Sequence, residues 1–232
     1  MPIVAQEPIE VELAAGDVLA GNHRTALWRL QSGALRMHDT DPAGMQSLIG
    51  VALPGDLIGV ECLVGELPST SLRALIRSRL VLLGHDDTLL ALRSAASQPD
   101  LLVQALVQSR RQCRDNMRLR AGPVAERVKC LLLMLSDPGK TVTRLADVEI
   151  PCALPSLRDM ALVVDSAPET VSRVLGSLRR LDVLHDRKPK SVSFNRIDLG
   201  QTKSLPGMTS SSLPVCRDGP LHSAGTSPLG AA

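Results

Sequence analysis

The chain holds 232 residues, room for one large or two modest domains, and its 44% hydrophobic and 22% charged content is the balance of an ordinary globular protein. With one Trp, one Phe and no Tyr, its core must come from Leu, Val, Ile, Ala and Met, and aromatic stacking platforms for single-stranded nucleic acid are excluded. The net charge is only +2, and neither an apolar run near ~18 residues nor a basic-then-apolar leader occurs, so no membrane partner is expected and the expected location is the cytoplasm.

Residues 10–85 alternate short apolar runs, TALWRL, GALRMHD, SLIGVAL and SLRALI, with Gly16-Asp17, Ser32-Gly33, Pro54-Gly55-Asp56 and Gly59. Runs of that length between turn residues predict compact antiparallel β-structure, in which the glycines shape turns and do no chemistry. From Gln98 to about Arg120 the pattern becomes helical, opening at Pro99, with Val103, Leu106, Cys113 and Met117 on heptad positions that Arg110 interrupts. Such a seam serves either the pairing of two subunits or packing on the chain's own sheet. Gly122-Pro123 breaks this helix and puts a hinge at about residue 121, after which AERVKCLLLMLSD from Ala125 reads as a strongly apolar helix opening a second domain.

The stretch LPSLRDMALVVDSAPETVSRVLGSLRRL, Leu154 to Leu181, reads as two short helices joined by a tight turn. Ser156 followed by Asp159 is a capping-box-like start, with Asp in place of the usual Glu or Gln. Asp165 tolerates a left-handed turn conformation, and Pro168 suits the first position of the next helix. In that helix Val171, Leu175, Leu178 and Leu181 share one face, and Glu169, Ser172, Arg173, Gly176 and Arg180 the other. Those polar types suit a major groove: Arg donates twice to guanine, Glu accepts from cytosine, and Ser reaches a base edge or phosphate. Between Glu169 and Lys190, Arg173, Arg179, Arg180, Arg187, Lys188 and Lys190 outnumber Glu169, Asp182 and Asp186, an excess of +3 where phosphates would lie. The plain alternative is an amphipathic surface helix with a solvated charged face. Beyond it, SVSFNRI, reaching past Arg196, is strand-like and suits a wing, while Gly200 to Ala232 is rich in Gly, Pro and Ser, with only Lys203, Arg217 and Asp218 charged, and is expected to be disordered.

ETVSRVLGSLRR after LPSLRDMALVV resembles the DNA-binding domain of the Crp/Fnr superfamily of bacterial transcription regulators. The E-x-x-S-R form at Glu169, Ser172 and Arg173 is more similar to the Fnr branch than to the cyclic-AMP receptor branch. LAAGDVLA, LWRLQSGALR and LPGDLIGVECL are similar to the β-roll sensor domain of the same superfamily. One departure is in the turn, where Asp165, Ser166 and Ala167 replace Gly, Leu and Ser or Thr, so the N-cap of the recognition helix is lost. The resemblance implies an α+β fold: a cyclic-nucleotide-binding-like antiparallel β-roll over 1–97, a dimerisation helix and hinge over 98–121, a winged helix-turn-helix over 122–199 and a tail over 200–232. It implies a homodimer paired through Val103, Leu106, Arg110, Cys113 and Met117. DNA contacts are expected from Glu169, Thr170, Ser172, Arg173, Arg179, Arg180, Arg187 and Lys188, at inverted half-sites resembling TTGAT. It also implies RNA polymerase as a partner and action at transcription initiation.

The effector is not legible. Cys62, Cys113, Cys130, Cys152 and Cys216 have no close spacing, which disfavours an iron-sulfur cluster. In GVECLVGELPSTS, Val60 follows Gly59 and Thr70 precedes Ser71 where cyclic-nucleotide binders place Glu and Arg, so cyclic AMP is disfavoured. A haem ligand from His23, His38 or His85 stays open, as does oxidation of Cys113 across the seam. No catalytic motif occurs, so an enzyme is not expected. The competing readings are a ligand-binding β-roll whose helix-turn-helix has lost DNA, and a cysteine-dependent enzyme.

Overall fold

The computed structural model describes residues 9–19, 26–41, 43–44, 46–66, 70–85, 98–136, 149–188 and 190–202. His23, Cys216, His222 and the tail from residue 203 lie outside the described residues, as do the side chains of His85 and Lys188.

The first half is an antiparallel sheet of β1 (Glu10–Leu13), β2 (Ala26–Thr40), β3 (Gln46–Ala52), β4 (Leu57–Ile58) and β5 (Ser71–His85), in the order β1-β5-β2-β3 with β4 beside β2. Alternate residues of β2 and β5 point inward, and the buried cluster of Trp28, Leu30, Leu35, Ala52, Ala74 and Leu80 fills the roll. The lone Trp28 is almost wholly buried there. Ser32-Gly33, expected as a turn, instead lies inside the 15-residue β2. The pairing with β5 slips on either side of Ser32, and Gly33 takes φ 93°. A Cβ at Gly33 would stand 2.3 Å from Ser78 Oγ and 2.5 Å from Arg77 O, so this glycine lets two long strands cross closely at an irregularity.

Helix α1 (Gln98–Arg120) lies along the roll, held by apolar contacts of Leu101, Ala105 and Leu119 and by side-chain hydrogen bonds. Buried Asp56 accepts from Leu53 N at 2.9 Å, from Gln112 Nε2 at 3.2 Å and from Arg111. Gln108 accepts from Leu57 N at 2.7 Å and donates to Leu57 O at 2.9 Å, acting as a missing strand partner. Both uses of the apolar pattern are therefore separable: the face of α1 carrying Gln108, Arg111, Gln112 and Leu119 packs inward, and the face with the heptad residues does not.

After Gly122 at φ 81°, α2 (Val124–Ser136) begins the second unit, followed by β6 (Ile150–Ala153), α3 (Leu157–Val163), α4 (Pro168–Arg180), β7 (His185–Lys188), β8 (Ser191–Phe194) and α5 (Arg196–Gln201). The strands form a small sheet in the order β6-β8-β7. Val128, Leu131 and Leu132 of α2 pack with Met160 and Val163 of α3, Val171, Val174, Leu175 and Leu178 of α4, and Val192 and Phe194 of β8. Three expectations need correction. Leu181 caps the end of α4 and is exposed, while Val174 joins the core face instead. NRI is not strand, because Asn195 Oδ1 accepts from Ile197 N at 2.8 Å and starts α5. The tail does not begin at Gly200: α5 runs to Gln201, its Leu199 is fully buried, and Thr202 O accepts from the buried Lys129 Nζ at 2.7 Å.

Candidate nucleic-acid interface

The helix-turn-helix is built by local chemistry. Ser156 Oγ accepts from Asp159 N at 3.1 Å, the N-cap expected from the sequence, and donates to Asp159 Oδ2 at 2.7 Å, so the Asp carboxylate holds the capping hydroxyl rather than the Ser156 N–H of a full capping box. At the far end of α3, Ser166 N donates to Ala161 O at 2.9 Å while Asp165 sits at φ 49°. That is a Schellman closure with Asp in the position that glycine usually fills. Pro168 opens α4, and Ala167 stands at its N-cap with no side-chain bond, so the missing cap is real. What sequence reasoning missed is a side-chain bond that holds the turn from outside it, without replacing that cap. Arg127, from the first turn of α2, donates from Nη1 to Val164 O at 2.7 Å and to Asp165 O at 3.0 Å. These carbonyls lie at the negative end of α3, where a cation is favoured.

On α4, Glu169, Ser172 and Arg173 are exposed and Thr170 half-buried, directly opposite Val171, Val174 and Leu178. Arg173 makes no hydrogen bond or ion pair with any described residue, so its guanidinium is free to reach outward. The other cations differ. Arg180 donates to Ser177 Oγ at 2.9 Å. Arg179 pairs with Asp186 at 2.9 Å, tying α4 to β7. Arg187 pairs with Glu149 and donates to Ser193 Oγ at 2.9 Å, tying β7 to β8 and to the residue before β6. The Arg187 and Ser193 bonds hold the Glu149 carboxyl below the usual carboxylate range. Arg179 and Arg187 thus already have structural work in the wing, and a phosphate would have to compete for them. Lys188 lies on β7 in the same hairpin.

The second unit is also joined to the roll. Arg36 of β2 lies 3.3 Å from Asp159 of α3, with the side chains 12% and 17% exposed, so the capping carboxylate doubles as the partner of a roll residue. Arg36 Nη1 also stands 2.8 Å from His38 Nε2. A guanidinium has no acceptor, so it is the donor and His38 is neutral at that nitrogen. Burial first, then Arg36 and Arg73, push the His38 pKa below its ordinary value, with Asp159 opposing them.

On α1, Val103, Leu106, Val107 and Met117 are 60%, 69%, 64% and 67% exposed, and Arg110 and Cys113 are exposed beside them. The expected seam is an unpartnered apolar stripe on a single chain.

The cavity between α1, the 3-10 turn Val60–Val64 and the roll measures about 190 Å³, and among the described residues its lining includes Val60, Glu61, Thr70, Gln108 and Ser109 but no Lys or Arg. Those residues present a phosphodiester with a carboxylate and with no cationic partner. Gly59 at the turn's start holds φ 77°, where a Cβ would sit 2.4 Å from Ala26 O, so this turn requires a glycine. As for thiol chemistry, burial pushes the Cys152 thiol up to about 12 and raises that of Cys130, the opposite of an activated nucleophile. Among the described residues no group of three or more His, Cys, Asp or Glu gathers as for a metal, and no helix is long and apolar enough to cross a membrane.

No family model and no curated protein matches the sequence. Solved structures do match. FixK2 from Bradyrhizobium japonicum aligns at TM-score 0.62 and 24% identity, over 84% of this chain and 96% of that one. The CRP-family transcriptional regulator TTHB099 from Thermus thermophilus aligns at 0.57 and 23%, over 82% and 94%. The CRP/FNR-family transcriptional regulator TTHA1359 of the same organism aligns at 0.52 and 22%, over 83% and 96%. The chain therefore has the α+β fold of Crp/Fnr-type regulators along nearly the whole length of its neighbours.

Proposed function

We propose that this chain is a sequence-specific transcription regulator that binds duplex DNA as a homodimer, reading bases with α4. The observation that carries this reading is Arg173: a guanidinium with no partner among the described residues, beside exposed Glu169 and Ser172, on the face of α4 opposite a packed core face. Thr170 completes the reading surface, Arg180 and Lys188 are the candidates for backbone phosphates, and Arg179 and Arg187 act first as struts of the wing. The exposed stripe of α1 supports pairing of two copies through Val103, Leu106, Arg110, Cys113 and Met117, which sets two recognition helices about one duplex turn apart. The E-x-x-S-R helix favours Fnr-like half-sites, and a cavity with no Lys or Arg among its described lining residues favours a regulator whose signal is not cyclic AMP. Contact with RNA polymerase and a cytoplasmic place follow from that role. The loss-of-DNA alternative rests on the damaged turn and the missing cap, and the Arg127 bonds to the turn weigh against the first of these.

The test is equilibrium binding to a selected duplex at several salt concentrations. Arg173→Ala should cost about 1–3 kcal/mol and flatten the preference for one guanine per half-site. Binding of two chains per duplex is expected. Equal loss on all sequences, or none, would contradict the assignment.

A further inference from the structure

Resting on that reading, we infer that Arg127 is the positioning residue of the recognition helix. The direction of α4 relative to α3 is set across four residues, Val164 to Ala167, of which Val164 is buried in the core while the other three give the turn little side-chain support. Asp165 occupies a left-handed conformation that glycine adopts more readily, and Ala167 gives the first turn of α4 no cap. The Schellman bond takes up Ala161 O and Val164 N bonds back to Met160 O, while Val164 O and Asp165 O accept from a side chain. A single nitrogen of Arg127 meets both.

The arginine is anchored where it can act as a lever. It stands on α2, between Glu126 and the core residue Val128, three residues after Val124, the first residue of that helix beyond the Gly122-Pro123 break. Neighbouring core residues Val128, Leu131 and Leu132 pin α2 against α4, so α2 is a fixed post and the guanidinium is the arm that holds the turn to it. The buried Nε of Arg127 has no acceptor, a cost the fold tolerates for the sake of the other end.

Two variants of the full chain test this. Arg127→Met keeps an unbranched apolar stem and loses the donors, and Arg127→Lys keeps one cationic nitrogen that can donate to both carbonyls. In the Met variant, affinity for the selected duplex should fall at least tenfold while affinity for random duplex changes less than threefold, and Lys should restore most of the difference. In the free protein, amide hydrogen exchange at Ser166, Thr170 and Val171 should quicken at least fivefold with Met and not with Lys. A Met variant with unchanged discrimination and unchanged exchange would overturn the inference, as would equal losses on specific and random duplex. Should the Met variant fail to fold, the Lys variant decides: retained discrimination supports the clamp, and loss of discrimination in a folded Lys variant refutes it. If the unmodified chain distinguishes no duplex at all, the DNA reading fails while the exchange measurement still decides the clamp.

Discussion

Removing the link between Arg36 and Asp159 should loosen the DNA-binding unit from the roll, and the structure sets the size of the effect. At 3.3 Å and an effective dielectric near 20, the bare attraction is about 5 kcal/mol, most of which desolvation of two largely covered side chains cancels. Exposed pairs couple by about 0.2–1 kcal/mol, and breaking a fully buried pair costs about 3–5 kcal/mol. This pair lies between, so a coupling of about 1–2 kcal/mol is expected. The two single variants should not be equivalent. Arg36→Met leaves Asp159 with the Ser156 hydroxyl, whereas Asp159→Asn leaves a partly buried guanidinium with Arg73 and Arg158 nearby, and should cost more. Asn keeps a bond to Ser156, so the cap is not what is being measured. The assay is a double-mutant cycle on the thermal midpoint and on denaturant unfolding of Arg36→Met, Asp159→Asn and the double variant. Additive effects, with a coupling below about 0.3 kcal/mol, would refute the idea that this pair joins the two units.

His38 predicts a pH dependence whose sign is fixed by its depressed pKa: the native state binds fewer protons than the unfolded one, so stability is complete above about pH 6.5 and falls as pH drops from there toward the folded pKa. His38→Gln, which still accepts from Arg36, should flatten that slope in thermal midpoints measured between about pH 5 and 7; an unchanged slope would assign it elsewhere. Gly33→Ala should destabilise by about 2–5 kcal/mol, the sum of left-handed strain and overpacking, against about 1–2 kcal/mol for Gly16→Ala, which has the same sign of φ but open space around it. Equal midpoints for the two would deny the close crossing of β2 and β5. Ending the chain after Thr202 should leave stability and DNA affinity intact, while ending it after Leu199 strips the carbonyl from Lys129 and should cost about 1.5–3 kcal/mol, readable in denaturant unfolding.

The features legible in the sequence were those written locally. Ser156, Asp165, Pro168 and the alternation of α4 are signals spanning a few residues, and each appears in the structure close to where the sequence puts it, Leu181 excepted. The seam of α1 was legible as a pattern but ambiguous in use, because only the three-dimensional placement of Asp56 against Arg111 and Gln112 shows which face the roll takes. Ser32-Gly33 misled because the same dipeptide serves a turn or an irregularity in a long strand, and only the partner strand at Ser78 decides. SVSFNRI misled at its end because an Asn cap is a stronger local instruction than apolar alternation. Arg127, Arg36 and Lys129 were invisible as functional residues, since each takes its meaning from a partner remote in sequence. A cation in the first turn of an apolar helix, where the helix end disfavours it, was the one available hint for Arg127.

The central claim stands most directly on selection of bound sequences from random duplex DNA by the full chain, repeated with Arg173→Ala. The account predicts an enriched inverted repeat whose halves lie about 10 base pairs apart, with a guanine in each half that the Arg173→Ala chain no longer prefers. Recovery of unenriched sequence, or of the same repeat with the same guanine preference from both chains, would contradict it.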